Sequence, residues 1–211
     1  MSETKQIGIF VYDDFEPIDV WGFVQAFAIA RFLGQAYSDD GPYPFHISFI
    51  AKTKDPVRSY NGPSVMPKMT RDAALKQRFA VLMTPGGIGT RNVLDDGTMA
   101  WIRGMAPNVK LMTSVCTGAG VLAKAGLLDG LPATTNHNAF DDIAKLGPKV
   151  LWDRTSRWVD AGDHVTSAGV SAGTDMAFYL VARLAGQAVA DVAAAAAEYH
   201  WQRDPRVQLP F

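Results

Sequence analysis

Lys110-Leu-Met-Thr-Ser-Val-Cys116-Thr-Gly-Ala-Gly-Val-Leu-Ala-Lys124 is the stretch from which the fold follows. An apolar, β-prone run from Leu111 to Val115 stops at Cys116. Four small residues come next, Thr117, Gly118, Ala119 and Gly120, and then a helix-forming run from Val121 to Ala125. The spacing Ser114-x-Cys116-x-Gly118 is a cysteine version of the nucleophile elbow, a sharp strand-to-helix turn that holds a nucleophile proud of the sheet. Small neighbours are required because such a turn brings backbone and side chains into close approach. Unpaired N–H groups and the macrodipole at the helix start favour an anion, which predicts a lowered thiol pKa. A lone cysteine is more often a core residue; the elbow spacing makes this one a nucleophile candidate.

Upstream, Ile7 to Tyr12 is a continuous apolar run of the kind buried on both faces of a parallel sheet. It ends at Asp13-Asp14-Phe15-Glu16-Pro17, and a helical pattern runs from about Ile18 to Leu33 with Asp19 at its opening. Strands are predicted at Phe45 to Ala51 and Phe79 to Met83. Between them, Val57 to Tyr60 and Val65 to Met69 flank Asn61-Gly62, a hairpin signal, and Asp72 to Gln77 reads as a short helix. Thr84-Pro-Gly-Gly-Ile-Gly89 follows the next strand. No Gly-Lys-Ser/Thr is present and the dinucleotide spacing is absent, which excludes a phosphate loop. Either a tight turn or an oxyanion-binding loop fits Gly86-Gly87.

Downstream of the helix predicted at Thr98 to Ala106 and the elbow, a helix is expected at Ala139 to Leu146. Short strands follow near Val150 to Trp152, Arg157 to Val159 and His164 to Ser167. Gly169-Val-Ser-Ala-Gly173 is a second small-residue junction, opening a long helix from about Thr174 to His200. Strands alternating with helices imply a parallel sheet covered on both faces, with ligands beyond the carboxyl ends of its strands. The loops Asp13 to Asp19, Thr84 to Gly89 and Cys116 to Gly118 all fall at those ends, which makes Asp19 and Gly87 candidates beside Cys116.

The 211 residues are most simply one domain, and a net charge of −1 with interspersed signs points to neither nucleic acid nor an anionic membrane. A single cysteine fits a reducing compartment. No apolar leader precedes the first strand, and the apolar run from Ala188 to Ala197 is too short to span a bilayer and contains Asp191. A cytoplasmic protein is expected. His46, His164 and His200 have no Cys or acidic partner at ligand spacing, so neither a metal nor another cofactor is expected. Trp21 and Trp101 read as packing residues, and Asp39-Asp40 as part of a solvated loop.

Pro85-Gly86-Gly87, Ser114-Val115-Cys116-Thr117-Gly118, Gly126-Leu127-Leu128-Asp129-Gly130, Ala133-Thr134-Thr135 and Thr166-Ser167-Ala168-Gly169-Val170-Ser171-Ala172-Gly173-Thr174-Asp175 together resemble the ThiJ/PfpI superfamily. The resemblance runs from Ile7 to the last helix. It implies a class I glutamine-amidotransferase-like, flavodoxin-like α/β/α sandwich, a single domain over residues 1–211, and a homodimer. Two features resemble the isocyanide hydratase branch. The acid in Ile18-Asp19-Val20-Trp21-Gly22 is an aspartate where other branches carry glutamate, and the residue after the cysteine is Thr117 rather than His. Hydratase relatives often read Thr-Thr-His after the elbow helix, whereas this chain has Thr135-Asn136-His137.

The implied reaction is hydration of a small organic isocyanide to a formamide. Cys116 would be the nucleophile and Asp19 its proton partner, the two sharing a proton so that one stays neutral. Backbone N–H groups at Gly87 and Thr117 would steady developing negative charge, the Thr117 hydroxyl would bond the thiolate, and Gly86, Asn136 and His137 would line the site. The alternatives are a glyoxalase- or deglycase-like enzyme acting on small aldehydes, and a cysteine redox sensor. Some relatives add a helix-turn-helix domain; the chain ends soon after its last helix, and none is expected.

Overall fold

The first apolar run forms β1 (Lys5–Phe10), whose last four residues are all buried. In the computed structural model, which describes residues 3–38 and 40–207, this strand lies in the interior of a seven-stranded sheet. Asp39 and residues 208–211 of the tail lie outside the described residues. Helix α1 (Pro17–Ile29) opens with Pro17, whose fixed φ and missing N–H suit a first turn. Strand β2 (Phe45–Ala51) then pairs with β1 in parallel.

Next come β3 (Val57–Arg58) and β4 (Ser64–Val65), a separate antiparallel hairpin around Asn61, whose φ of 48° suits a turn. Strand β5 (Met69–Thr70) edges the main sheet beside β2 and leads into α2 (Arg71–Ala74). The chain continues through β6 (Phe79–Thr84), α3 (Asp96–Met105), β7 (Val109–Val115) and α4 (Ala119–Lys124). A small parallel pair, β8 (Pro132–Ala133) and β9 (Leu151–Trp152), brackets α5 (Phe140–Ala144). Strands β10 (Trp158–Asp160) and β11 (His164–Ser167) precede α6 (Ser171–Ala185) and α7 (Gln187–Ala196).

The sheet order is β10-β11-β7-β6-β1-β2-β5, parallel throughout except for the β10–β11 pair. Helix α1 packs on α6, which packs on α7, while α4 packs between α3 and α5. This is the flavodoxin-like α/β arrangement expected from the alternation of elements. From β1 the chain builds outward through β2 to β5, then returns to the other side of β1 with β6 and β7. The strand order therefore reverses between β1 and β6, and the loops leaving those two strands open a crevice at their carboxyl ends. Among the described residues no helix is long and apolar enough to cross a membrane.

Several elements differ from expectation. The long helix predicted from Thr174 to His200 is two helices, α6 and α7, broken at Gly186 with φ 99° and ψ 152°. The Gly186 N–H donates to the Ala182 carbonyl at 2.8 Å and ends α6. Alanine on both sides of the break hides it from a propensity reading. Helix α1 stops at Ile29 rather than Leu33, and Met69 belongs to an edge strand rather than to the hairpin.

A continuous helix would gain about 1 kcal/mol from Gly186→Ala. At a φ of 99° the added Cβ is strained instead, and the substitution is expected to lower the unfolding free energy by about 1 kcal/mol. Chemical denaturation separates the two signs.

Candidate active site

Strand β7 ends at Val115, and the chain turns sharply through the 3₁₀ segment Cys116–Gly118 into α4. Cys116 sits at φ 59°, a conformation that costs a non-glycine residue about 1–2 kcal/mol. Two bonds fasten it there: its N–H donates to the Ala168 carbonyl at 3.2 Å, and its own carbonyl accepts from the Thr135 hydroxyl at 2.8 Å. The loop after β6 presses against this turn. A Cβ on Gly86 would lie 2.6 Å from the Thr117 nitrogen and 2.8 Å from the Cys116 Cβ, so only glycine fits.

Asp19, in the first turn of α1, is fully buried. Its Oδ2 accepts from the Gly86 N–H at 2.8 Å, while Oδ1 makes no hydrogen bond of good geometry. The Cys116 side chain and the Val170 N–H are nonetheless close enough to favour its charged form. Burial outweighs both, together with the Gly86 N–H, and pushes the Asp19 pKa up to about 7. The Cys116 thiol is pushed up to about 12, first by burial and then by the Asp19 charge. The Thr117 N–H and the Asn136 amide oppose that shift without offsetting it.

The lowered thiol pKa expected from the elbow is thus overturned. The reason is environmental: the sulfur is buried beside a carboxyl, and among the described residues no cation is one of the leading influences on it. A six-residue α4 supplies too weak a field to compensate.

Asn136 donates from Nδ2 to Cys116 Sγ at 3.2 Å. Its orientation is fixed by its other end, since Oδ1 accepts from the Asn138 N–H at 2.9 Å and the Ala139 N–H at 3.1 Å. Only the oxygen can accept two N–H groups, so the NH₂ must face the sulfur.

The Thr117 hydroxyl does not reach the sulfur. It pairs with the Thr90 hydroxyl at 2.8 Å and accepts from the Gly87 N–H at 3.1 Å. Gly87 therefore spends on Thr117 the N–H that the sequence reading assigned to an oxyanion, and Gly86 spends its own on Asp19. The Thr117 N–H and the Asn136 amide are the donors left facing the sulfur.

The structure gathers Cys116, Asp19, Gly86, Gly87, Thr117 and Asn136 around this turn. His137 is not among them. It is exposed and lines a cleft of about 640 Å³ that also touches Asn136, Arg154, Arg157, Ala168 and Val170. Trp21 is about 41% exposed and meets Phe49 edge-on, whereas Trp101 is buried with its indole N–H on the Arg71 carbonyl. Among the described residues no group of three or more His, Cys, Asp or Glu is placed to hold a metal ion.

Sequence reasoning missed Tyr12. Its buried hydroxyl donates to the Pro85 carbonyl and lies 3.2 Å from the Thr90 hydroxyl. The Pro85 carbonyl and the Gly86 N–H belong to one peptide unit, so a single chain of bonds runs from Tyr12 through that peptide to Asp19. Tyr12 falls just past the carboxyl end of β1, where the topological rule places ligands; that position was the available signal.

Comparison with known proteins agrees with this fold. The DJ-1/PfpI family profile matches residues 5–183. The chain is 34% identical to the isonitrile hydratase of Pseudomonas putida over 72% of this chain and 65% of that one. It is 30% identical to the HTH-type transcriptional regulator CdhR of Pseudomonas aeruginosa, over 81% of this chain and 49% of the regulator. It thus spans less than two thirds of both relatives. A solved THiJ/PfpI family protein from Pseudomonas syringae superposes with a TM-score of 0.82 at 30% identity, covering 100% of this chain and 78% of that one. Drosophila melanogaster DJ-1beta superposes with a TM-score of 0.80 at 15% identity, over 94% of this chain and 100% of that one, and shares the fold.

Folding raises the Asp19 pKa from 3.8 to about 7. Between those values the folded protein holds more protons than the unfolded chain, so stability falls as pH rises across that window. Asp19→Asn removes the buried charge and keeps an acceptor for Gly86. It is expected to raise the denaturation midpoint at pH 8, by at most about 4 kcal/mol of unfolding free energy, and to change it little at pH 4. An unchanged midpoint at pH 8 would rule out the buried carboxylate.

Tyr12→Phe tests the peptide link. Losing the hydroxyl weakens the Gly86 donor, so the Asp19 carboxyl, followed by its ¹³C shift, should titrate a few tenths of a unit higher. Titration at the wild-type midpoint would show that the hydroxyl has no such influence.

Proposed function

The chain belongs to the DJ-1/PfpI family, and from that premise we propose that it is a cysteine-dependent hydratase converting an organic isocyanide, R–N≡C, to the formamide R–NH–CHO. The observation carrying this reading is the buried Cys116–Asp19 pair, with both pKa values raised and no cation among the leading influences from the described residues. Between about pH 7 and pH 12 such a pair holds one proton. An acyl-transfer cysteine works as a thiolate beside a cation; addition to an isocyanide needs a nucleophile and a proton at the same carbon.

The steps balance on these residues. Sulfur attacks the terminal carbon as the shared proton passes through Asp19 to that carbon, giving the thioimidate Cys116-S–CH=N–R. The Asp19 carboxylate then takes a proton from water as its oxygen adds to the same carbon, and delivers it to nitrogen. Collapse of the S–CH(OH)–NH–R adduct breaks the carbon–sulfur bond, releases the formamide, and returns the hydroxyl proton to the pair. The Asn136 amide and the Thr117 N–H steady charge on the departing sulfur.

The similarity to isonitrile hydratase supports this substrate. The redox-sensor alternative requires an accessible thiolate, and a buried, protonated Cys116 speaks against it.

Formamide production from an aryl isocyanide is expected to fall by at least about a thousandfold in Cys116→Ala and in Asp19→Asn. In the wild type kcat/KM should rise with pH through about 7, as the second proton leaves the pair. Full activity in either variant would sink the mechanism.

A further inference from the structure

We propose that the cleft beyond Asn136 is an anion subsite, formed by Arg157 and Arg154, that takes a carboxylate at the far end of the substrate. Its assignment to a substrate, rather than to another ligand, rests on the hydratase reading above.

The cleft of about 640 Å³ reaches the nucleophile through Asn136, which both lines it and donates to Cys116 Sγ. That volume suits a small molecule larger than the isocyanide group alone. Among the described residues, the charged side chains lining it are Arg154 and Arg157, with no Asp or Glu.

Arg157 is about 93% buried, and buried guanidinium groups need acceptors for five N–H donors. Among the described residues it meets one, Asp175 Oδ2 on Nη2, while the buried Nε has none. Asp175 offers Arg157 only one oxygen, because its Oδ1 accepts from the Tyr199 hydroxyl at 2.9 Å and the Gln202 N–H at 3.0 Å. A buried guanidinium whose Nε has no acceptor among the described residues, in a cleft whose described lining carries no acid, points to an acceptor arriving from the cleft.

Arg154 stands on the same wall, over the Phe140 ring at 4.1 Å and paired to Asp141 in a largely exposed, solvent-screened bridge. Formally the two arginines and two aspartates cancel. That balance favours a monoanion able to share leftover N–H groups over a doubly charged phosphate. A planar carboxylate is the anion whose geometry matches guanidinium.

Calorimetric titration with N-formylglycine and N-formyl-6-aminohexanoate, each against its neutral carboxamide, tests the subsite without requiring turnover. At least one acid is expected to bind about tenfold or more tightly than its amide at pH 8. That preference should shrink toward unity in Arg154→Gln and in Arg157→Lys, with melting curves reporting whether each variant is folded. Arg154 lies on the exposed wall, so Arg154→Gln keeps the test decisive if Arg157→Lys does not fold. Equal binding of acid and amide, no binding of any probe, or a preference that survives Arg154→Gln would each overturn the proposal. An acid preference that behaves as expected, with no formamide formed from isocyanoacetate, would leave the subsite standing and remove the hydratase reading alone.

Discussion

The burial of Asp19 beside Cys116 is the constraint on which the rest of the site depends. A carboxyl and a thiol buried together cannot both ionise, because each charge would lack solvation and face the other. Among the described residues, no arginine, lysine or protonated histidine is one of the leading influences on the pair. What remains is a set of neutral donors: the Gly86 N–H on the carboxyl, and the Asn136 amide and Thr117 N–H on the sulfur. Such donors permit one negative charge without compelling it. Nothing in this set fixes a permanent anion on the pair.

Keeping the pair in register is the work of three loops at the carboxyl ends of β1, β6 and β7. The strand order reverses between β1 and β6, which opens the crevice, and α1 brings Asp19 into it from one side. From the other side the strained turn at Cys116 is pinned by Ala168 and Thr135, residues far along the chain. The Pro85-Gly86 peptide lies between these parts, with Tyr12 on its carbonyl and Asp19 on its N–H. Polarising one end of a peptide strengthens the donor at the other, and here the two ends carry the Tyr12 hydroxyl and the Asp19 carboxyl.

Much of this was legible in the sequence because the signals are local. An apolar run ending at Cys116-Thr-Gly announces the elbow, and Gly86-Gly87 after a strand announces a loop pressed against something. Alternation of strands and helices then brings Asp19 to the same edge without any knowledge of side-chain contacts. What the sequence hid depends on three-dimensional surroundings. The thiol shift took the opposite sign because burial and a neighbouring acid outweigh a short helix. The Gly87 N–H could not be seen to be occupied, since its acceptor on Thr117 is 30 residues away. The break at Gly186 lay inside an alanine-rich run whose propensity is helical on both sides, and only the positive φ reveals it.

Asn136 shows how a local motif and a distant site become one device. Its oxygen accepts the N–H groups of Asn138 and Ala139, an arrangement any Asx turn before a helix would produce. Taken alone it is a capping residue. Because the next turn of chain is thereby fixed, the amide NH₂ has no freedom to rotate and must point at Cys116 Sγ. A donor held this way loses little entropy when charge develops on sulfur, which is the condition under which a hydrogen bond contributes more in a transition state than in the resting site. The departure from the Thr-Thr-His pattern therefore places a rigid neutral donor beside Cys116, and that choice accords with the proposed mechanism, in which the one mobile charge is a shared proton.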